Sequence, residues 1–99
     1  MIIVSGQFRF APARIADARA AMDRVVTATR AENGCLAYSY AEDVLDPGLI
    51  RVFEKWASRA ALDAHFATAH MAAWKAEREA FGLTDRAISL CEAGAETAV

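Results

Sequence analysis

The hydrophobic positions of this chain recur with two different periods, which predict alternating strands and helices. In residues 2–10, apolar side chains alternate with polar ones, as in a strand that buries one face. In residues 13–32, the apolar positions fall three and four apart, which is typical of an amphipathic helix. Asn33-Gly34 then ends this helix, because either residue can adopt the left-handed conformation of a helix C-terminus.

The remaining pattern completes a β-α-β-β-α-β order. The further predicted elements are strands at 35–42 and 49–56, a helical stretch from Ser58 to about Phe81 that can contain one break, and a strand at 84–92. Asp46-Pro47-Gly48 joins the two middle strands, since proline presets φ and glycine accepts a positive φ. This order predicts a ferredoxin-like α+β fold, with an antiparallel sheet and two helices on one face. We expect one domain over residues 1–93 and a frayed tail over 94–99.

Apolar residues also occur on the sheet face that the helices cannot cover. In the third predicted strand, Ile50 and Val52 lie on one side, and Leu49 and Phe53 lie on the other. A sheet face that is open to water is normally polar. The pattern therefore predicts a homodimer in which two such faces pack together about a twofold axis.

Composition and charge narrow the function classes. The length of 99 residues corresponds to one domain, and a hydrophobic fraction of 56% excludes intrinsic disorder. Eleven basic and thirteen acidic residues are interspersed without a basic block, so neither nucleic acid nor a membrane surface is an expected partner. No apolar run is long enough for a transmembrane helix, and no signal peptide is recognisable. We expect a cytoplasmic protein.

Two histidines are the candidate chemical groups. On a continuous helix, His65 and His70 would be about 140° apart, and no third ligand accompanies them, so the spacing predicts no metal site. His65 lies at the edge of the apolar stripe, where an imidazole can exchange a proton near neutral pH. The alternative is a structural histidine that is hydrogen-bonded in the core.

The residues around these histidines resemble a known family. The pattern F-E-x-W-x-S-x-x-A-L-x-x-H-x-x-T-x-H begins at Phe53, and E-x-G-C-L-x-Y begins at Glu32. Together they resemble the antibiotic biosynthesis monooxygenase domain over nearly the whole chain. The resemblance implies a dimeric α+β barrel with a pocket between the sheet and the helices of each subunit.

The resemblance also implies an activity: oxidation of a small aromatic phenol or quinol by molecular oxygen, with no cofactor. A deprotonated, electron-rich substrate can itself pass an electron to oxygen, so the protein supplies a base and a pocket that excludes water. His65 is then the candidate catalytic base. The candidate substrate-binding residues are Tyr38 and Ser5 as hydrogen-bond donors, Trp56 and Phe66 as ring-stacking walls, and His70.

Two alternatives stay open. An isomerase of a phosphorylated dione has the same H-x-x-T-x-H signature and would use the histidine to move protons next to a carbonyl. Its phosphate would need cationic contacts, for which Arg51 and Lys75 are candidates. The other alternative is a dimer that binds a small aromatic molecule without converting it.

Overall fold

The computed structural model describes residues 1–99 and confirms the predicted order of elements. The strands are β1 (Ile2–Arg9), β2 (Cys35–Glu42), β3 (Leu49–Trp56) and β4 (Thr84–Glu92), and the helices are α1 (Ile15–Arg30), α2 (Arg59–Phe66) and α3 (Ala69–Ala80). A 3₁₀ turn at Pro12–Arg14 leads into α1. None of the helices has the length and apolar character that crossing a membrane requires. The chain therefore has a ferredoxin-like α+β fold.

The four strands form one antiparallel sheet in the order β2-β3-β1-β4. Residues that pair directly across neighbouring strands share a face, so one face carries Phe8 with Ile50 and Tyr40 with Val52. The helices cover this face and bury its apolar side chains in the core. The space between sheet and helices is where a buried site can form.

The second helical stretch is broken once, and Thr68 makes the break. Its hydroxyl donates to the His65 carbonyl at 2.8 Å and accepts from the Met71 backbone N–H at 3.3 Å. The same side chain thus ends α2 and caps α3. The chain changes direction here, and this change sets the relative positions of the two histidines.

The helix-free face of the sheet carries more polar side chains among its apolar ones than the sequence pattern suggested. Phe53 is 43% exposed there, next to Ser5 in the pairing of β1 with β3. Gln7 and Arg51 also pair on this face, whereas Leu49 is buried within the chain itself. The face therefore offers an apolar centre with a polar surround rather than a continuous apolar surface.

Candidate active site

A carboxylate and two imidazoles meet where the turn after α1 packs against the junction of α2 and α3. Glu32 Oε2 accepts a hydrogen bond from His65 Nδ1 at 2.7 Å and another from His70 Nε2 at 2.8 Å. His65 is only 1% exposed. The expectation that the two histidines lie apart assumed a continuous helix and is wrong, because the break at Thr68 brings both to one oxygen atom.

Gly34 allows Glu32 to approach His65 and His70 closely. Its φ of 81° lies in the left-handed region, and a Cβ there would come within 2.6 Å of the Ala61 Cβ on α2. The Gly34 carbonyl also accepts from the Ala57 N–H at 2.8 Å. The turn after α1 therefore lies directly against the start of α2, which places Glu32 next to His65.

The imidazole of His65 has one engaged nitrogen and one free nitrogen. Its Nδ1 is bonded to Glu32, while Nε2 has no hydrogen-bond partner within the chain. The ring lies 4.8 Å from the Trp56 ring and 5.4 Å from the Tyr38 ring, measured between centroids. Burial lowers the pKa of His65 more than the Glu32 carboxylate raises it. The ring is therefore neutral at pH 7, and Nε2 can accept a proton.

His65 lines a cavity of about 120 Å³ between the sheet and helices α2 and α3. Most of the lining is apolar, and its polar groups are His65, Tyr38, Tyr40, Glu54, Arg78, Arg86 and Ser89. An apolar cavity of about 150 Å³ in another protein holds benzene. The volume here is thus on the scale of one aromatic ring.

Tyr38 and Tyr40 both line this cavity, and their hydroxyls lie 2.8 Å apart. Burial raises the pKa of Tyr40 to about 12 and also raises the pKa of Tyr38. Both phenols therefore stay protonated at neutral pH. Because one hydroxyl donates to the other, the pair has one proton left to donate to a ligand, and neither phenol acts as a base.

Glu54 is a buried carboxyl group in the same cavity, 6% exposed. The Trp56 indole N–H donates to its Oε1 at 3.0 Å. Burial raises the pKa of Glu54, although the bond from Trp56 and the charge of Arg86 act in the opposite direction. Glu54 is thus a second group in the cavity that could accept a proton.

Replacing Glu54 by glutamine is expected to stabilise the protein at pH 7 and to leave its stability near pH 4 unchanged. A raised pKa means that folding disfavours the ionised carboxylate, so this group loses stabilising effect as the pH rises above its ordinary value of 4.5. Glutamine keeps the acceptor for Trp56 without the charge. Thermal midpoints at both pH values measure the effect, with Glu79→Gln as the control at an exposed glutamate. An equal midpoint at pH 7 would contradict the argument.

The other predicted site residues do not all line the cavity: Phe66 does, Trp56 and His70 lie beside the Glu32–His65 pair, and Ser5 lies on the opposite face of the sheet. Phe66 lines the cavity and is 47% exposed. Trp56 lies fully buried against His65 rather than in the cavity lining, and His70 binds Glu32. Ser5 lies on the helix-free face of the sheet, where it pairs with Phe53. The expected role of Ser5 as a donor to the substrate therefore does not fit its position.

The two basic residues named for the phosphate of the isomerase alternative do not line the cavity. Arg51 lies on the helix-free face and donates to Asp43 at 3.1 Å, and Lys75 is not part of the cavity lining. Arg78 and Arg86, which the sequence interpretation did not select, do line it. Glu32 was likewise missed as a functional residue, although it begins the E-x-G-C-L-x-Y motif.

One donor set has the composition of a metal site. The ligand atoms of Glu32, His65 and His70 lie within 4.8 Å of one another. Two histidines and one carboxylate occur together in non-haem iron sites. Here both imidazoles already bond to one carboxylate oxygen, so an ion would have to replace both hydrogen bonds.

A second, larger groove of about 390 Å³ lies between α1 and β2. It is open and carries charged side chains such as Arg19, Asp23 and Arg30. None of the three residues of the carboxylate–imidazole cluster lines it. We therefore place the candidate active site in the smaller cavity, where a free imidazole nitrogen adjoins an apolar space.

Comparisons with known proteins agree with this architecture. Residues 1–77 match the family model described as antibiotic biosynthesis monooxygenase. The putative monooxygenase Rv0793 of Mycobacterium tuberculosis is 41% identical over 59 residues, which cover 60% of this chain and 57% of that protein. An uncharacterized protein of Synechocystis, sll1783, is 36% identical over 67 residues, covering 68% of this chain and 46% of that protein. The matched region thus spans about half the length of these curated relatives.

Solved structures match over the whole chain. A putative antibiotic biosynthesis monooxygenase from Deinococcus radiodurans superposes with a TM-score of 0.93 at 28% identity, covering 100% of this chain and 98% of that chain. The structure of Rv0793 from Mycobacterium tuberculosis gives a TM-score of 0.85 at 30% identity, covering 98% of each chain. These similarities confirm the predicted fold.

Proposed function

Since this chain belongs to the antibiotic biosynthesis monooxygenase family, we propose that it oxidises a small phenol or quinol with molecular oxygen and needs no cofactor. One observation carries the proposal. His65 is held through Nδ1 by Glu32 and lines a mostly apolar cavity of one-ring size. A neutral imidazole in such a place is suited to remove a proton from an aromatic hydroxyl group.

The proposed reaction begins with this proton transfer. His65 Nε2 accepts the hydroxyl proton, and the Glu32 carboxylate stabilises the imidazolium that forms. The resulting phenolate passes an electron to oxygen, and the two radicals then combine. One oxygen atom stays on the ring and the other leaves as water, with all four electrons supplied by the substrate. A phenol thus becomes a quinone, and a quinol becomes a hydroxyquinone.

The cavity supports this chemistry in two ways. The side chains of Phe8 and Trp74 form apolar walls that keep water from the reactive oxygen species. The hydroxyls of Tyr38 and Tyr40 remain protonated, and the one proton that is not used in the bond between them can be donated to an oxygen substituent of the ring. The volume favours a substrate with a single ring over a polycyclic one.

We further propose that the working unit is a homodimer that pairs the helix-free sheet faces. The exposed Phe53 at the centre of this face supports the proposal, because a large apolar side chain there would be buried by a second copy. Sedimentation should give a dimer mass at micromolar concentration, and Phe53→Asp should give a monomer. A monomer mass for the unaltered protein would refute the proposal.

Oxygen uptake tests the proposed reaction. Chelator-treated protein is mixed with single-ring phenols and quinols in an oxygen electrode, against blanks without protein because quinols react slowly with air. We expect uptake above the blank, with one atom of labelled oxygen in the product. No uptake above the blank across the panel would refute the oxygenase, and a requirement for added metal would refute its independence of cofactors. Binding without turnover would instead support the non-catalytic alternative.

A further inference from the structure

Two arginines lie at the candidate active site without carboxylate partners. Arg78 on α3 and Arg86 on β4 both line the cavity. Neither forms an ion pair or a side-chain hydrogen bond within the chain, whereas six other basic residues have acidic partners: Arg9, Arg14, Arg24, Arg51, Lys55 and Arg59. Arg78 is half-buried and Arg86 is exposed, so neither guanidinium group is sealed from solvent and both are free to bind a ligand at the cavity.

The charges of the cavity favour an anion. Glu54 is the one acidic residue in the lining, while His65 and both tyrosines are neutral at pH 7. Even with Glu54 ionised, the two arginines leave the cavity with an excess positive charge. Arg78 and Arg86 carry like charges and line the same cavity, and burial together with the Arg86 charge lowers the pKa of Arg78. A bound anion would relieve the repulsion between these like charges.

The arginines and His65 lie towards different ends of the cavity. Its lining follows β1 from Val4 to Phe8, a rise of about 13 Å. Tyr38 adjoins His65, and the Tyr38 hydroxyl contacts that of Tyr40. On β4, Ala87 next to Arg86 pairs with Gln7, and Arg78 lies one turn of α3 beyond Trp74, which packs on Phe8. Tyr38 instead pairs with Glu54, the partner of Val4. The arginines therefore lie towards the Phe8 end of the lining and His65 towards the Val4 end.

We propose that Arg78 and Arg86 bind a carboxylate of the substrate, which makes the substrate a single-ring phenol or quinol with a carboxylate group. This inference rests on the proposed function. Planar guanidinium groups bind carboxylates through two parallel hydrogen bonds. A ring bound in this way would direct its hydroxyl towards His65. A phosphate group could make the same contacts, but its charge of about −1.5 to −2 exceeds the excess positive charge that the two arginines leave beside an ionised Glu54.

Calorimetric binding under nitrogen at pH 7 tests this subsite without turnover. The probes are 4-hydroxybenzoate, phenol and phenyl phosphate. We expect 4-hydroxybenzoate to bind the unaltered protein at least about tenfold more tightly than phenol. Arg78→Gln and Arg86→Gln should each raise the dissociation constant of 4-hydroxybenzoate at least about tenfold. The dissociation constant of phenol should change less than about twofold. Arg19→Gln removes an arginine on α1 outside this cavity and should change neither.

The readout is the ratio of the two dissociation constants for each variant, because a general loss of folding weakens both ligands together. Arg78→Lys keeps the positive charge but cannot form two parallel hydrogen bonds to a carboxylate. Its preference for 4-hydroxybenzoate over phenol should therefore lie between those of the unaltered protein and Arg78→Gln. The proposal is overturned if 4-hydroxybenzoate binds no more tightly than phenol, if the glutamine variants weaken both equally, or if phenyl phosphate binds more tightly. Selective binding of 4-hydroxybenzoate without oxygen uptake would retain this subsite and refute the oxygenase. Oxygen uptake with uncharged quinols but not with 4-hydroxybenzoate would support the oxygenase and refute the carboxylate subsite.

Discussion

Replacing His65 by alanine is expected to lower kcat for oxygen uptake by about 100- to 10,000-fold, the usual contribution of a general base. The free Nε2 of His65 is the proposed proton acceptor, and the two tyrosines in the cavity stay protonated at neutral pH. An oxygen electrode with saturating quinol measures the rate after subtraction of the blank. His65→Asn keeps a polar side chain at this position and should be as inactive as the alanine variant.

Glu32→Gln separates the base from the residue that positions it. Glu32 contacts the far side of the imidazole and raises the pKa of His65, so its loss should lower that pKa. The rise of kcat/KM with increasing pH should therefore move to lower pH in Glu32→Gln, with a smaller loss of kcat than in His65→Ala. An unchanged rate in His65→Ala would remove His65 from the mechanism. If Glu54→Gln instead abolished uptake, Glu54 would be the base.

The fold was predictable because its signals are local. The bounds of β2, β3 and β4 match the predicted strands, since an alternating pattern and strong turn residues such as Gly34 and Gly48 mark their ends. The helix after β1 starts later than predicted because Pro12–Arg14 forms a 3₁₀ turn. The cap by Ser58 is also present, with its hydroxyl accepting from the Ala61 N–H at 3.1 Å.

The site was predictable only where periodicity determines the direction of a side chain. The position of His65 on the apolar stripe indicated that it faces the sheet, and the structure places it there. Ser5 alternates with Val4 in β1, so the same rule already placed it on the other face. Its selection relied on the resemblance to the family instead of on this alternation.

Glu32 and the arginine pair depend on contacts that no spacing rule provides. Glu32 reaches His65 across 33 positions of the sequence. This contact needs both the helix break at Thr68 and the left-handed turn at Gly34. Arg78 and Arg86 come together because β4 pairs with β1 beneath α3. Such long-range contacts are properties of the tertiary structure, and a single sequence contains no local signal for them.

Replacing Trp56 by alanine is expected to lower the free energy of unfolding by about 3–5 kcal/mol, as for other large buried aromatic residues. Trp56 is fully buried, packs against the His65 ring and donates to Glu54. Urea denaturation at pH 7, followed by circular dichroism, measures the change. A loss below about 1 kcal/mol would be typical of a surface position and would contradict this packing.

Trp56→Phe separates packing from the hydrogen bond to Glu54. Phenylalanine keeps most of the buried ring but lacks the indole N–H, so the Glu54 carboxyl loses its hydrogen-bond donor. We expect a loss of about 1–3 kcal/mol, the cost of leaving a buried polar group unsatisfied. The same substitution made in Glu54→Leu should cost less, because no carboxyl remains to be satisfied. Equal costs in both backgrounds would show that the indole stabilises the protein only through packing, and that its bond to Glu54 contributes no stability.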